Sequence, residues 1–162
     1  YSAGPGQGGV ASAFDTERLL QAVAAARQQA DTVVVYLHWG QEERSCPSAM
    51  QQELAQQLSD AGADVVVGTH AHQLQGAGWL GQTYVAYGLG NFVWWRSLSE
   101  ISVQTGVLDL TVDDGRVLEA DFVPARIDDT GIPGPLTGPD AERAEADFAA
   151  LRACAGLTDA PT

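Results

Sequence analysis

The chain contains no lysine. Its 8 basic residues are all arginine, set against 21 Asp+Glu, and the formal net charge is −13 over 162 residues. A phosphate-backbone binder needs clustered cations to displace counterions, so this balance excludes nucleic acid as a partner. It equally disfavours an anionic membrane surface. No apolar run approaches the ~18 residues of a transmembrane helix. Residues 1–9 carry no initiator methionine, basic flank or apolar signal core, and they read as a loop with chain missing in front of it. Histidine is scarce, with three residues, and Asn91 is the single asparagine. Only two cysteines are present, Cys46 and Cys154. If paired, they close a loop worth about 4–5 kcal/mol in the loop-entropy description; unpaired thiols in a reducing compartment fit the sequence equally well.

What is present is the composition of a globular domain, 45% hydrophobic and 18% charged. Asp15 or Thr16 can cap a helix reaching about Ala30, with Leu19, Leu20, Val23 and Ala26 at helical spacing. Residues 32–37 form a continuous apolar run, as in strands buried on both faces. Ser48 and Gln51 form a capping-box pattern, followed by the stripe Met50, Leu54, Leu58 and Ala61, with Gly62 as the terminator. Residues 63–68 are the next buried strand, completing a βαβ unit. A further strand spans 83–87. Residues 106–112 and 116–123 alternate across Asp113-Asp114-Gly115 as a hairpin, with Leu108, Leu110 and Val112 facing Leu118, Ala120 and Phe122. Residues 128–139 look too rich in Gly and Pro for any element. A last helix, about 140–153, turns Ala144, Phe148 and Leu151 inward.

The three histidines sit at strand ends. His38 follows the first buried strand in Leu37-His38-Trp39-Gly40, and His70 and His72 follow the second in Gly68-Thr69-His70-Ala71-His72. Parallel strands of one βαβ unit open on the same sheet edge, where ligands bind in α/β folds. In extended backbone, residues two apart project to one side, so His70 and His72 can reach one metal or two adjacent ones. Gly68 and Gly40 suit tight exits from the strands. Three histidines alone suit a mononuclear zinc site. Phosphoester chemistry more often uses two metals about 3.5–4 Å apart with a bridging acid. Glu42 and Glu43 follow His38, but no strand-end Asp is placed to bridge. Asn91, in Gly88-Leu89-Gly90-Asn91-Phe92, is placed either to bind an anion or metal through its amide or to occupy a left-handed turn. Trp39, Trp94 and Trp95 bracket these motifs, as groove walls or as core.

Taken together, Leu37-His38-Trp39-Gly40-Gln41-Glu42, Ala61-Gly62-Ala63-Asp64, Gly68-Thr69-His70-Ala71-His72 and Gly88-Leu89-Gly90-Asn91-Phe92 resemble the bacterial CapA family. These are capsule and poly-γ-glutamate synthesis proteins within the calcineurin-like metallophosphoesterase superfamily. The resemblance covers roughly residues 4–127. The family's earlier Gly-Asp and Asn-Asn-His motifs are absent, Ala71 stands where proline is frequent, and Trp94-Trp95 replaces a more usual pair. The resemblance therefore implies an α/β fold, an αββα sandwich of the metallophosphoesterase type, with only its carboxyl-terminal part in this chain. Residues 1–153 would form that part and 154–162 a tail.

By the same resemblance, His38, His70 and His72 are metal ligands, and His38, Asn91 and Glu42 are catalytic. The cofactor would be divalent Mn, Fe, Zn or Mg, two ions in the complete domain. Expected partners are the amino-terminal half of the same domain, an anionic polymer or phosphoester substrate, and envelope polymer synthase subunits. Family members are exported or membrane-anchored, which implies an extracytoplasmic protein and tips Cys46 and Cys154 toward a disulfide. Two functions follow. One is a metal-dependent phosphoesterase-like hydrolase in capsule or poly-γ-glutamate biosynthesis. The other is a non-catalytic polymer-binding or assembly component of an envelope polymer synthase. A −13 surface repels polyglutamate, so in the second case a metal or partner must supply the attraction.

Overall fold

A computed structural model describes residues 2–96 and 99–162. Helix α1 (Thr16–Arg27) begins where the Asp15 carboxylate accepts a hydrogen bond from the Arg18 N–H. Strand β1 (Val34–His38) leads through a loop to helix α2 (Ala49–Asp60), which starts with both halves of the Ser48/Gln51 capping box formed. Gly62 takes φ +101° after α2, as its terminator position requires. Strand β2 (Val65–Thr69) follows, then β3 (Ala77–Leu80) and β4 (Thr83–Ala86). These four strands form one sheet in the order β1-β2-β4-β3, with β1, β2 and β4 parallel and β3 antiparallel.

Strands β5 (Gln104–Asp113), β6 (Arg116–Ile127) and β7 (Pro133–Pro135) form a second, antiparallel sheet. The hairpin turns through Asp114 and Gly115, both with positive φ, the conformation a two-residue hairpin turn needs. Helices α3 (Pro139–Ala150) and α4 (Arg152–Ala155) close the chain. The fold is mixed α/β, arranged in layers. Val23, Ala55 and Leu58 of the helices cover one face of the first sheet through Val35, Leu37, Val66 and Val85. On its other face Val65, Tyr84 and Ala86 meet Leu108, Leu110, Val117 and Phe122 of the second sheet, with Phe148 of α3 stacked on Phe122.

Several expectations need correcting. The first strand is not buried on both faces: Val34 and Tyr36 are 59% and 67% exposed, because β1 lies at the end of its sheet and the second sheet does not reach over it. In α2 the inward stripe is Gln51, Leu54, Ala55 and Leu58, while Met50 faces solvent. The β5–β6 register shifts at Thr111/Val112, so Val117 turns inward in place of Leu118, which is exposed. A bulge inserts one residue and exchanges the faces beyond it. The Gly/Pro-rich stretch forms β7, pairing along the edge of β6. The last helix breaks at Leu151 into α3 and α4. The segment expected as a tail, 154–162, keeps that place at the end of the chain, with Thr158 exchanging backbone hydrogen bonds with Trp79 of β3 and Leu157 buried. Cys46 and Cys154 form a disulfide, with Cα atoms 5.7 Å apart.

Candidate functional site

The three parallel strands all deliver their exits to one rim. His38 is the last residue of β1, His70 and His72 follow β2, and Asn91 follows β4 after a short Gly-containing segment. The rings gather closely, with centroids 4.5 Å apart for His38 and His70 and 5.9 Å for His70 and His72. Extended alternation is not the cause. His70 and His72 take φ +96° and +56°, so the chain bends left-handed at both residues. Such backbone is sparsely populated for residues other than glycine and clusters at functional sites, where surrounding structure must hold it. Here Ala71 is fully buried between them, and its carbonyl accepts the Glu43 N–H at 2.9 Å.

Asn91 is buried and stands one step behind the imidazoles. Its Nδ2 donates to the carbonyls of His72 (3.3 Å) and Ser102 (3.2 Å). That fixes the amide orientation and leaves Oδ1 facing His72 Nδ1 at 2.8 Å. An amide oxygen only accepts, so His72 Nδ1 carries a proton, which in the neutral ring leaves Nε2 as the acceptor. Nε2 lies 4.0 Å from a Glu42 carboxylate oxygen. A histidine whose second ring nitrogen donates to a carbonyl oxygen has the usual outer arrangement of a metal ligand, with the first nitrogen left for the ion. Among the described residues, one group of His, Cys, Asp or Glu side chains is gathered tightly enough for an ion: Glu42, His70 and His72, with donor atoms within 4.8 Å of one another. Ligand bonds of about 2.1 Å around a tetrahedral ion would space donors about 3.4 Å apart, so small side-chain rotations suffice and the donors fit.

His38 stands beside this group. Its Nδ1 is 3.3 Å from Thr69 Oγ1, whose hydroxyl donates to the Leu37 carbonyl at 3.3 Å. The hydroxyl oxygen is thus left to accept from Nδ1–H, and His38 Nε2 is free. Partial desolvation, then the nearby His70 and His72 imidazoles, holds His38 below the ordinary imidazole range. Of the tryptophans, Trp39 is core: it is buried, stacks on Tyr87, and its indole N–H donates to the Tyr87 carbonyl at 2.9 Å. That crossing explains Gly68, which lies inside β2 and not in a tight exit; a Cβ there would fall 2.0 Å from the Trp39 indole nitrogen. Gly40, at φ +92°, does turn the chain after His38. Trp94 packs against His72 at 4.8 Å between ring centroids, and Trp95 is exposed.

A motif-bearing rim of this kind has known relatives. The bacterial capsule synthesis protein PGA_cap family matches residues 2–94, more than half of the chain. The chain belongs to this family. Among similar proteins, the PGA biosynthesis protein CapA of Bacillus subtilis (strain 168) is 42% identical over 94 residues, 56% of this chain and 25% of that protein. The capsule biosynthesis protein CapA of Bacillus anthracis is 39% identical over 127 residues, 74% of this chain and 29% of its own length. The chain thus spans between a quarter and three tenths of these relatives. The family match takes in His38, Glu42, His70, His72 and Asn91, so every residue of the rim lies within the PGA_cap region.

Two features of the PGA_cap rim escaped the sequence reading. One is Thr69, the hydroxyl directly before the His-x-His pair, which is visible in the sequence and here orients His38. The other is the pair Gln73 and Gln75, buried behind the site, which carry no signal in composition or spacing.

Proposed function

We propose that this chain contributes a divalent-metal site of phosphoesterase type to a protein of capsule or poly-γ-glutamate biosynthesis. The observation that carries the reading is the gathering of Glu42, His70 and His72 donor atoms within 4.8 Å of one another, with Asn91 Oδ1 on His72 Nδ1. Glu42, His70 and His72 would hold the ion, and His38 stands within reach of a second. A bound ion supplies Lewis-acid chemistry to an anionic oxygen such as a phosphoryl oxygen. His38 is exposed, its pKa is lowered by partial desolvation and then by the neighbouring imidazoles, and it can take or deliver a proton at Nε2. Trp94, packed against His72, narrows the approach of water from that side.

The relatives' names, and the exposed Val34–Tyr36 face of β1, support the remaining elements. An upstream half of the same domain would cover that face and could bring the acids of a second metal position. The Cys46–Cys154 bond favours an extracytoplasmic location, because disulfides persist in oxidising compartments. No helix of the described residues is long and apolar enough to cross a membrane.

The printed names of both relatives speak of biosynthesis. That favours a second reading, in which the metal site binds an anionic polymer or a synthase subunit without cleaving it. A phosphodiesterase assay with Mn²⁺ or Zn²⁺, comparing the parent protein with H70A/H72A, separates the two. Metal-dependent turnover lost in the variant supports hydrolysis. Absence of turnover, with polyglutamate retained only by the metal-loaded parent, supports the binding role.

A further inference from the structure

The Glu42 carboxylate is exposed, yet it meets two histidines from another strand. Something must fix the backbone behind it. Three glutamines are buried there: Gln51 at 2%, Gln73 at 6% and Gln75 at 0% exposure. A buried amide is costly unless its donors and acceptor are satisfied, and those of Gln73 and Gln75 meet the loop that carries Glu42. Gln75 Nε2 donates to the Arg44 carbonyl at 2.8 Å and to the Cys46 carbonyl at 3.4 Å. Its Oε1 accepts from Gln51 Nε2 at 3.0 Å, which ties it to the capping box of α2. Ser45 Oγ donates to Gln73 Oε1 at 2.9 Å.

The same residue reaches the third site segment. The Gln75 N–H donates to the Gly88 carbonyl at 2.8 Å, and its side chain lies across Gly88, where a Cβ would come within 3.1 Å of it. Gln75 therefore joins the Glu42 loop, the chain after His72 and the segment leading to Asn91. A residue needed only to fill this core position would not require an amide that donates to two carbonyls of the Glu42 loop and accepts from the Gln51 side chain.

We infer that Gln75 is a positioning residue for the metal site: its buried amide holds residues 43–46 so that the Glu42 carboxylate stays over His70 and His72. This rests on the metal reading above. It predicts coupling, because without the Glu42 carboxylate there is nothing left for Gln75 to place.

The test is Zn²⁺ affinity, measured by calorimetric titration on the full chain with Gln75→Met, Glu42→Gln and the double variant, folding being checked by circular dichroism. Gln75→Met keeps the volume and removes the amide. It should weaken Zn²⁺ about tenfold, the lower end of what loss of an outer partner does to a metal site. Glu42→Gln should weaken it more, and the double variant no further than Glu42→Gln alone. Additive losses, or an unchanged affinity in Gln75→Met, overturn the inference while leaving the metal site standing. An unaffected Glu42→Gln overturns it too, and failure of the parent to bind Zn²⁺ removes the metal reading itself. If Gln75→Met does not fold, Gln75→Asn draws the amide back by one carbon from the Arg44 and Cys46 carbonyls. Its loss must likewise vanish in the Glu42→Gln background, and persistence there counts against the inference.

Discussion

β1 and β2 lie side by side, run parallel and each delivers site histidines to the same rim, but their surroundings differ. On β2, Val66 faces the helices and Val65 the second sheet, and both are buried. On β1, Val35 and Leu37 are buried against the helices, while Val34 and Tyr36, paired in register with Val65 and Val67, face solvent. The difference continues into the site. The β2 exit is locked by left-handed backbone at His70 and His72 and by the Asn91 amide. The β1 exit carries an exposed His38 and an exposed Glu42, held in place from behind by Gln75, Ser45 and the disulfide. The site thus has a rigid half and a tethered half, and the tethered half is the one beside the uncovered strand.

The largest effect should come from cutting the covalent tether. Cys46→Ser/Cys154→Ser opens a closure 108 residues apart in sequence, and thermal or denaturant unfolding should show a loss on the order of 4–5 kcal/mol. If the two halves differ as described, NMR on the variant under native conditions should show the His38 and Glu42 signals shifted and broadened, with the His72 Nδ1–H retained. Equal disturbance of both would erase the distinction. Next, Val66→Ala on β2 removes two buried carbons and should cost about 2 kcal/mol in denaturant unfolding. Asn91→Ala frees the His72 tautomer, and Zn²⁺ affinity should fall about 10–100-fold. The smallest effect belongs to Val34→Ala on β1, within about 0.5 kcal/mol for an exposed position. In a longer protein whose upstream sequence covers β1, the same substitution should approach the cost of Val66→Ala, which would sharpen the comparison into evidence of a shared core.

Much of this was legible in the residues because the signals are local. The capping box at Ser48 and Gln51, the Asp114-Gly115 turn and the apolar runs of β1 and β2 each depend on neighbours within a few positions. That His38, His70 and His72 share one rim follows from strand direction, although the left-handed bends at His70 and His72 that gather the rings do not. What escaped depends on distant chain. An apolar run cannot show that β1 ends a sheet, and alternation cannot show that the hairpin register slips at Thr111/Val112. Gly68 reads as a turn residue until Trp39 and Tyr87 are found crossing over it. Likewise Asn91, read as a ligand or a turn residue, proves to spend its amide on His72 and Ser102.

The central claim is that Glu42, His70 and His72 form a divalent-metal site whose His72 tautomer Asn91 sets. Equilibrium dialysis against Zn²⁺ at neutral pH, followed by elemental analysis of the parent and of folded H70A/H72A, tests it most directly. The account predicts zinc retained by the parent and lost from the variant. Zinc absent from the parent, or retained equally by both, would contradict it.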